Sequence, residues 1–437
     1  MNNFDKIIGY EEIKKELRQI TDTLKNRDVY EKLGATSPSG LLLYGDPGVG
    51  KSMMANAVIS ESGLAFFTVR KNMGKDSFVD EIKATFDKAM KHAPAIVYLD
   101  DMDKFANVDN RHPNADEYVA VQACIDEVKG KGIFVLATAN DIDCLPDSLI
   151  RTGRFDRSIE VKVPCDKDAR QIIEHYMNQK PFVGEMDYDV ITRLMGGRSC
   201  AELETVINEA GLYAGFQRSE TVTMEHFLKA CMRVLFKINY NGEEKDSEEE
   251  DFHAFSMENA PQIYKTAYHE AAHVVAHEVI VPGSVTLSTI CAGDRGQGGV
   301  TSCCLDNVSS EMSTRCRVIT SLASMAVSEQ VFGQPDMGSS HDLDRAFRLT
   351  RRLVADNCSN GLGFYSFEFG NSETRTARIE EATTSQVEQY YRKVKELLSL
   401  NREFLDKVAQ ALLSKKLITC TDIAKIRETC HVVSVAA

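Results

Sequence analysis

The chain has 437 residues, 43% of them hydrophobic and 27% charged, and carries a formal net charge of -14. That length exceeds what one core organises, so two or three domains are expected, and the negative balance excludes a protein that coats nucleic acid or an anionic membrane by electrostatics. No stretch reaches the ~18 uninterrupted apolar residues of a spanning helix and the start lacks a secretion-signal layout, so a cytoplasmic protein, or a soluble piece of a longer one, is expected.

Over residues 39–163 short β-rich runs (LLLYG, AFFTV, AIVYLD, GIFVLATAN) alternate with longer helical stretches. That alternation predicts an α/β domain over 1–163 with a parallel sheet covered by helices. After Pro164 the pattern turns helical, in DARQIIEHYM, YDVITRLMGG, SCAELETVINEAGLYAGF and TMEHFLKACMRVLF, and predicts a small all-helical region over 164–238. The acidic run EEKDSEEED at 243–251 offers nothing to a core. It predicts a solvated linker over 239–260. Helix signals then dominate 261–437, interrupted by the Gly-rich, β-prone VTLSTICAGDRGQGGVTSCC. The 12 cysteines form no Cys-x-x-Cys pair, so reduced and mostly buried thiols are expected.

The first chemistry lies in LLLYGDPGVGKS. An apolar strand runs into Gly45, Asp46, Pro47, Gly48, Val49, Gly50, Lys51 and Ser52, and helical spacing begins at once with Met53. Glycines at these positions let backbone N–H groups turn toward phosphate oxygens, Lys51 reaches the β and γ phosphates of ATP, and Ser52 holds magnesium. A second strand, AIVYLDDMD, delivers Asp100 and Asp101 at its carboxyl edge, with Asp100 on the magnesium side. A third ends in Asn140, placed to orient a water. LIRTGRFDR then packs Arg151, Arg154 and Arg157 together, either as forks for a phosphoryl transition state or as a surface salt-bridge cluster.

The second chemistry lies in YHEAAHVVAHEV. A helix advances ~100° per residue, so His269 and His273 share a face with Glu270 beside them. His-Glu-x-x-His binds zinc through its imidazoles while the glutamate takes a proton from water. His277 lies about 12 Å from His269 along the axis and is not expected as a ligand. A catalytic zinc needs a third ligand, and the residues leave Glu329 and Asp342 as candidates.

Taken together, GDPGVGKS, LDDMD, ATAN, IRTGRFDR and GGRSCAELETVINEA resemble the AAA+ ATPase module, most closely that of the FtsH-type ATP-dependent metalloproteases. The likeness resumes over 268–430. It implies an AAA+ module with parallel sheet and helical lid, followed by a mainly helical zinc metallopeptidase domain. By resemblance Ile8 and Gly9 line an adenine pocket, Ala201 sits in the lid near the nucleotide, and Arg151 and Arg154 reach the adjacent subunit's nucleotide in a hexameric homo-oligomer. GSSHDLDRA is similar to the segment that holds the family's aspartate ligand, which favours Asp342, and GQGGVTSCC corresponds to the edge strand beside the metal. The sequence departs from the family in having Asp101 for a glutamate that polarises water, a gripping loop with Met73 but no aromatic, and Ala323 and Ser324 for glycines, a change expected to touch packing and not chemistry. The expected function is ATP-dependent zinc proteolysis of unfolded or misfolded proteins, with ATP, magnesium and zinc as cofactors. The alternatives are a remodelling ATPase with little or no proteolysis, and an ATP-independent peptidase on a degraded motor.

Overall fold

The computed structural model describes residues 3–71, 78–106, 115–150, 153–181, 186–238, 240, 261–291, 298–305, 310–355 and 372–434. Met73, Arg151 and the acidic run at 243–251 lie outside the described residues. Two compact units divide the chain, Met1–Phe182 with Met195–Asn208, and Val183–Leu194 with Glu209–Ala437.

In chain order the first unit holds α1 (Glu11–Lys25), α2 (Arg27–Lys32), β1 (Gly40–Tyr44), α3 (Lys51–Ser62), β2 (Ala65–Val69) and α4 (Phe78–Met90). It continues through β3 (Ala95–Leu99), α5 (Asp116–Val128), β4 (Ile133–Ala139), α6 (Asp147–Ile150), β5 (Arg157–Glu160) and α7 (Asp166–Met177). The strands form one sheet in the order β2-β3-β4-β1-β5, and every pairing is parallel. Strands buried on both faces need continuous apolar runs. Leu41, Leu42 and Leu43 accordingly have no exposure, and each such burial contributes about 1.5–3 kcal/mol. Because β1, β3 and β4 are neighbours, their carboxyl ends set the glycine loop, Asp100 and Asn140 along one edge. The helical stretch over 164–238 is shared between the units: α7 belongs to the first, α8 (Tyr188–Leu194) and α10 (Met224–Phe236) to the second, and α9 (Cys200–Phe216) begins in one and ends in the other.

The second unit continues with α11 (Gln262–Ile280), β6 (Val285–Thr289), β7 (Val300–Cys303), α12 (Ser310–Phe332) and α13 (Ser340–Ala355). It ends with α14 (Ser372–Leu400), α15 (Arg402–Lys415), β8 (Leu417–Thr419) and α16 (Cys420–Glu428). Helix α11 packs against α12 and α15, and α12 against α13 and α14. A helix enclosed on several sides must be apolar nearly all round, and α11 buries Ala267, Ala271, Ala272, Val274, Val275 and Ala276. β6 and β7, from the Gly-rich patch, join β8 in an antiparallel sheet of order β7-β6-β8, with β7 at an edge. Among the described residues no helix is long and apolar enough to cross a membrane, and the cysteines are all free.

Candidate active site

The glycine loop follows β1. Gly45 and Gly48 have φ of +139° and +80°, and each carries an added restriction. A Cβ on Gly45 would strike the Val161 carbonyl, and one on Gly48 would lie 3.0 Å from Ala201 Cβ. The Ala201 N–H donates to the Gly48 carbonyl at 3.1 Å, which ties the start of α9 to the glycine loop. Lys51 is buried and its Nζ donates to the Gly45 and Asp46 carbonyls, at 2.7 Å each. Burial lowers its pKa, against the opposing charges of Asp101, Asp103 and Asp46. Val49 is buried, while Asp46, Pro47, Ser52 and Met53 are exposed.

Asp100 accepts from Tyr98 Oη at 2.7 Å and from Thr138 Oγ1 at 3.1 Å. Asp101 takes a left-handed backbone, φ 54°, steadied by its N–H donating to Thr138 Oγ1 at 3.0 Å. Lys104 Nζ donates to its Oδ2 at 2.6 Å. Asn140 is held by a group that sequence reasoning passed over: Asp103 accepts from its backbone N–H at 2.9 Å and from its Nδ2 at 3.5 Å. The signal was the third acid of LDDMD. Ile8 and Gly9 lead into Tyr10, whose N–H donates to Asp168 at 3.0 Å. The Tyr10 hydroxyl lies 3.5 Å from Cys200 Sγ, which is itself 3.6 Å from the Val49 carbonyl. The 8–10 turn, the glycine loop and the start of α9 therefore adjoin.

Arg154 has an in-chain partner. Its Nε and Nη2 donate to the two carboxylate oxygens of Asp126 at 3.0 and 2.8 Å, and its Nη1 donates to the Ser148 carbonyl. The hydrogen bonds from Arg154 hold the Asp126 carboxyl below its ordinary range. Arg157 is exposed and reaches Glu16 at 4.0 Å.

On α11, one turn separates His269 from His273, and their ring centroids are 4.9 Å apart. Asp342, in the first turn of α13, brings Oδ2 to 3.3 Å from Nε2 of both. One ligand atom from each of the three lies within 4.8 Å of the others, the one such group among the described residues. The Thr320 carbonyl is 2.8 Å from His273 Nδ1 and can only accept, so Nδ1 carries the proton and Nε2 is left to bind. Two imidazole nitrogens and a carboxylate oxygen are a donor set for zinc that keeps a coordination position for chemistry. In the metal-free state burial drives His273 toward neutrality, but its hydrogen bond and attraction to Asp342 outweigh that and raise its pKa. Burial likewise opposes ionisation of Asp342, and the hydrogen bonds from His269 and His273 win, holding it far below the usual carboxylate range.

Glu329 goes elsewhere. Tyr391 Oη and Lys395 Nζ donate to its two oxygens at 2.7 and 2.9 Å, and it takes no part in the histidine cluster. His277 also stays out: it is buried 3.5 Å from Cys316 Sγ, and burial lowers its pKa to about 3. Three contacts were not anticipated. Ser324 Oγ donates to Asp342 Oδ2 at 3.0 Å, so the residue that stands for a glycine touches a ligand. Thr301 Oγ1 donates to Glu270 Oε2 at 2.7 Å. Gly299 is pressed so close that a Cβ would lie 2.6 Å from Glu270 Oε1.

A phosphate loop at the edge of a parallel sheet and a His-His-Asp donor set beside a buried glutamate define an ATPase module and a zinc peptidase in one chain. Residues 41–163 match the family described as ATPase family associated with various cellular activities (AAA), and residues 257–426 match peptidase family M41. Over 97% of its length the chain is 30% identical to the ATP-dependent zinc metalloprotease FtsH of Caldicellulosiruptor bescii, covering 71% of that protein. It is likewise 30% identical to the Thermus thermophilus FtsH, of which it covers 70%, and 29% identical to FtsH 3 of Symbiobacterium thermophilum, of which it covers 71%. The chain belongs to the FtsH family of ATP-dependent zinc metalloproteases, enzymes that work with zinc and magnesium-ATP.

Proposed function

We propose that this chain uses ATP hydrolysis to unfold protein substrates and cuts them at the site of His269, His273 and Asp342. The observation that carries the reading is the convergence of three ligand atoms from two helices beside buried Glu270. When bound, zinc supplies Lewis acidity, polarising a peptide carbonyl and easing the deprotonation of water. His269 and His273 hold it through Nε2 and Asp342 through Oδ2. Glu270 accepts the proton of the attacking water on its carboxylate and passes it to the departing amide nitrogen. An extended peptide adds as a strand to the outer edge of β7, which reads backbone more than side chains and suits substrates of many sequences.

A folded substrate offers no extended strand, so unfolding precedes cleavage. The loop amides of 45–50 and Lys51 hold the ATP phosphates, Ser52 and Asp100 hold magnesium, and Asp101 with Asn140 aims the attacking water. Ile8, Gly9 and Ala201 surround the base and lid side of the nucleotide. Arg151 and Arg154 act in trans in a homo-oligomer, a hexamer in this reading. Arg154 then has to exchange Asp126 for the neighbour's nucleotide.

The test is degradation of casein by the full chain with zinc and ATP, alongside ATP turnover. Wild type should cut, and Glu270→Gln should abolish cutting while ATP turnover continues. Turnover without cleavage of any unfolded chain by wild type would leave a remodelling ATPase as the function. Undiminished cutting without ATP would leave a peptidase alone.

A further inference from the structure

A carboxylate that must take a proton needs one oxygen secured and the other available. Glu270 is 4% exposed, and its two oxygens have different surroundings. Oε2 accepts the Thr301 hydroxyl at 2.7 Å. Oε1 borders Gly299, whose lack of a side chain leaves room where a Cβ would sit 2.6 Å away. Thr301 has one hydroxyl proton; the carboxylate at 2.7 Å is closer than its other acceptor, the Glu270 carbonyl at 3.4 Å, and either use of that proton leaves Thr301 to accept in its 2.8 Å contact with Ser288 Oγ. Ser288 stands opposite Thr301 in the β6–β7 register and is fully buried, which fixes the direction of the relay from Ser288 to Thr301 to Glu270.

We infer that Thr301 is a positioning residue for proteolysis: its hydroxyl pins Oε2 of Glu270 so that Oε1, beside Gly299, is the atom that takes the proton. The inference rests on the reading of Glu270 as the base. Threonine suits the task because a β-branched side chain on a strand is stiff at χ1, and its hydroxyl cannot swing away without losing both partners. The device belongs to the edge strand itself, so a peptide docking on β7 is registered against the same backbone that aims the base.

The experiment compares full-length wild type, Thr301→Val, Thr301→Ser and Glu270→Gln for zinc content, ATP turnover, kcat and KM on casein, and affinity for a dipeptidyl hydroxamate. The hydroxamate shares its proton with the base and so reports its aim without turnover. Valine keeps the shape and removes the donor. Thr301→Val should hold zinc and turn over ATP normally, with kcat lowered ~10- to 100-fold, the scale of a misaimed catalytic group, KM near wild type, and hydroxamate affinity reduced. Thr301→Ser should recover most of kcat. Wild-type kcat in Thr301→Val, with Glu270→Gln inactive, would overturn the positioning role alone, whereas an active Glu270→Gln would overturn the base reading beneath it. Loss of zinc and kcat together in both Thr301 variants would reduce Thr301 to a folding role and also overturn the inference.

Discussion

Replacing Gly299 with alanine adds one methyl group in the space that the Glu270 side chain and the Thr289 carbonyl already border closely. Its Cβ would lie 2.6 Å from Glu270 Oε1, 2.7 Å from Glu270 Cγ and 2.8 Å from the Thr289 carbonyl. Ordinary contact begins at 3.4 Å, so something must move by about 0.8 Å (3.4 minus 2.6). The Thr289 carbonyl belongs to the paired backbone of β6, which leaves the Glu270 side chain or β7 itself to yield. A displacement near 1 Å in a catalytic group costs roughly 100-fold in rate, or about 2.7 kcal/mol at 1.36 kcal/mol per tenfold. Overpacking should also cost about 1–3 kcal/mol of stability in the second unit. The assay follows fluorescein-casein hydrolysis, ATP turnover and bound zinc in parallel. The expected result is a kcat lowered by about two orders of magnitude with turnover and zinc retained. A variant that cuts casein at the wild-type rate would refute the reasoning, because it would mean that Glu270 either relaxes freely or is not the base.

Ser324→Gly removes the hydrogen bond to Asp342 Oδ2 and should weaken zinc binding by about 10-fold, at the low end for a group supporting a ligand; competition against a graded chelator measures it, and unchanged affinity would reduce the contact to packing. Zinc uptake by the stripped protein should fall with decreasing pH, because the raised pKa of His273 keeps it protonated above the ordinary imidazole range and zinc must displace that proton. Calorimetry in buffers of different ionisation enthalpy should show proton release, and none near neutral pH would sink this expectation. Without zinc the pair makes opposite contributions. The stabilisation from raised His273 is full below the ordinary imidazole pKa and lost as pH rises through its folded value, and that from lowered Asp342 is present above the ordinary carboxylate pKa and lost in acid. Asp101→Asn should cut ATP turnover ~100-fold, the low end for a catalytic base, and ATP-dependent casein degradation with it, while a short unstructured peptide is still hydrolysed; undiminished turnover would remove Asp101 from the catalytic set.

Local geometry was the legible part. GDPGVGKS announces itself because its glycines meet backbone demands seen at Gly45 and Gly48, and His269 with His273 because one helical turn alone brings them together. The third ligand was not settled by spacing, since Glu329 and Asp342 both follow helical text. The phase of α12 explains the outcome: Glu329 lies five residues beyond Ser324, about 140° round the helix at ~100° per residue, and so faces Tyr391 and Lys395 when Ser324 faces Asp342. Thr301 and Gly299 could not be read from a Gly-rich run, because only the β6–β7 register and its approach to α11 give them Glu270 as a neighbour. The same holds for Asp126 and Arg154, whose pairing needs α5 and the residues after α6 to be in place. The helices of 164–238 fall into two compact units, a division that depends on packing between distant segments and has no local signature in the chain.

Helix α11 brings the two imidazoles, but its orientation depends on α12 and α15 closing over its alanines and valines, and Asp342 arrives on yet another segment. A nascent or damaged copy that has not completed this closure has no hydrolytic centre to turn on its neighbours. The three ligand atoms come together only where these packed elements meet, so the donor set is a property of the folded second unit and of no single segment.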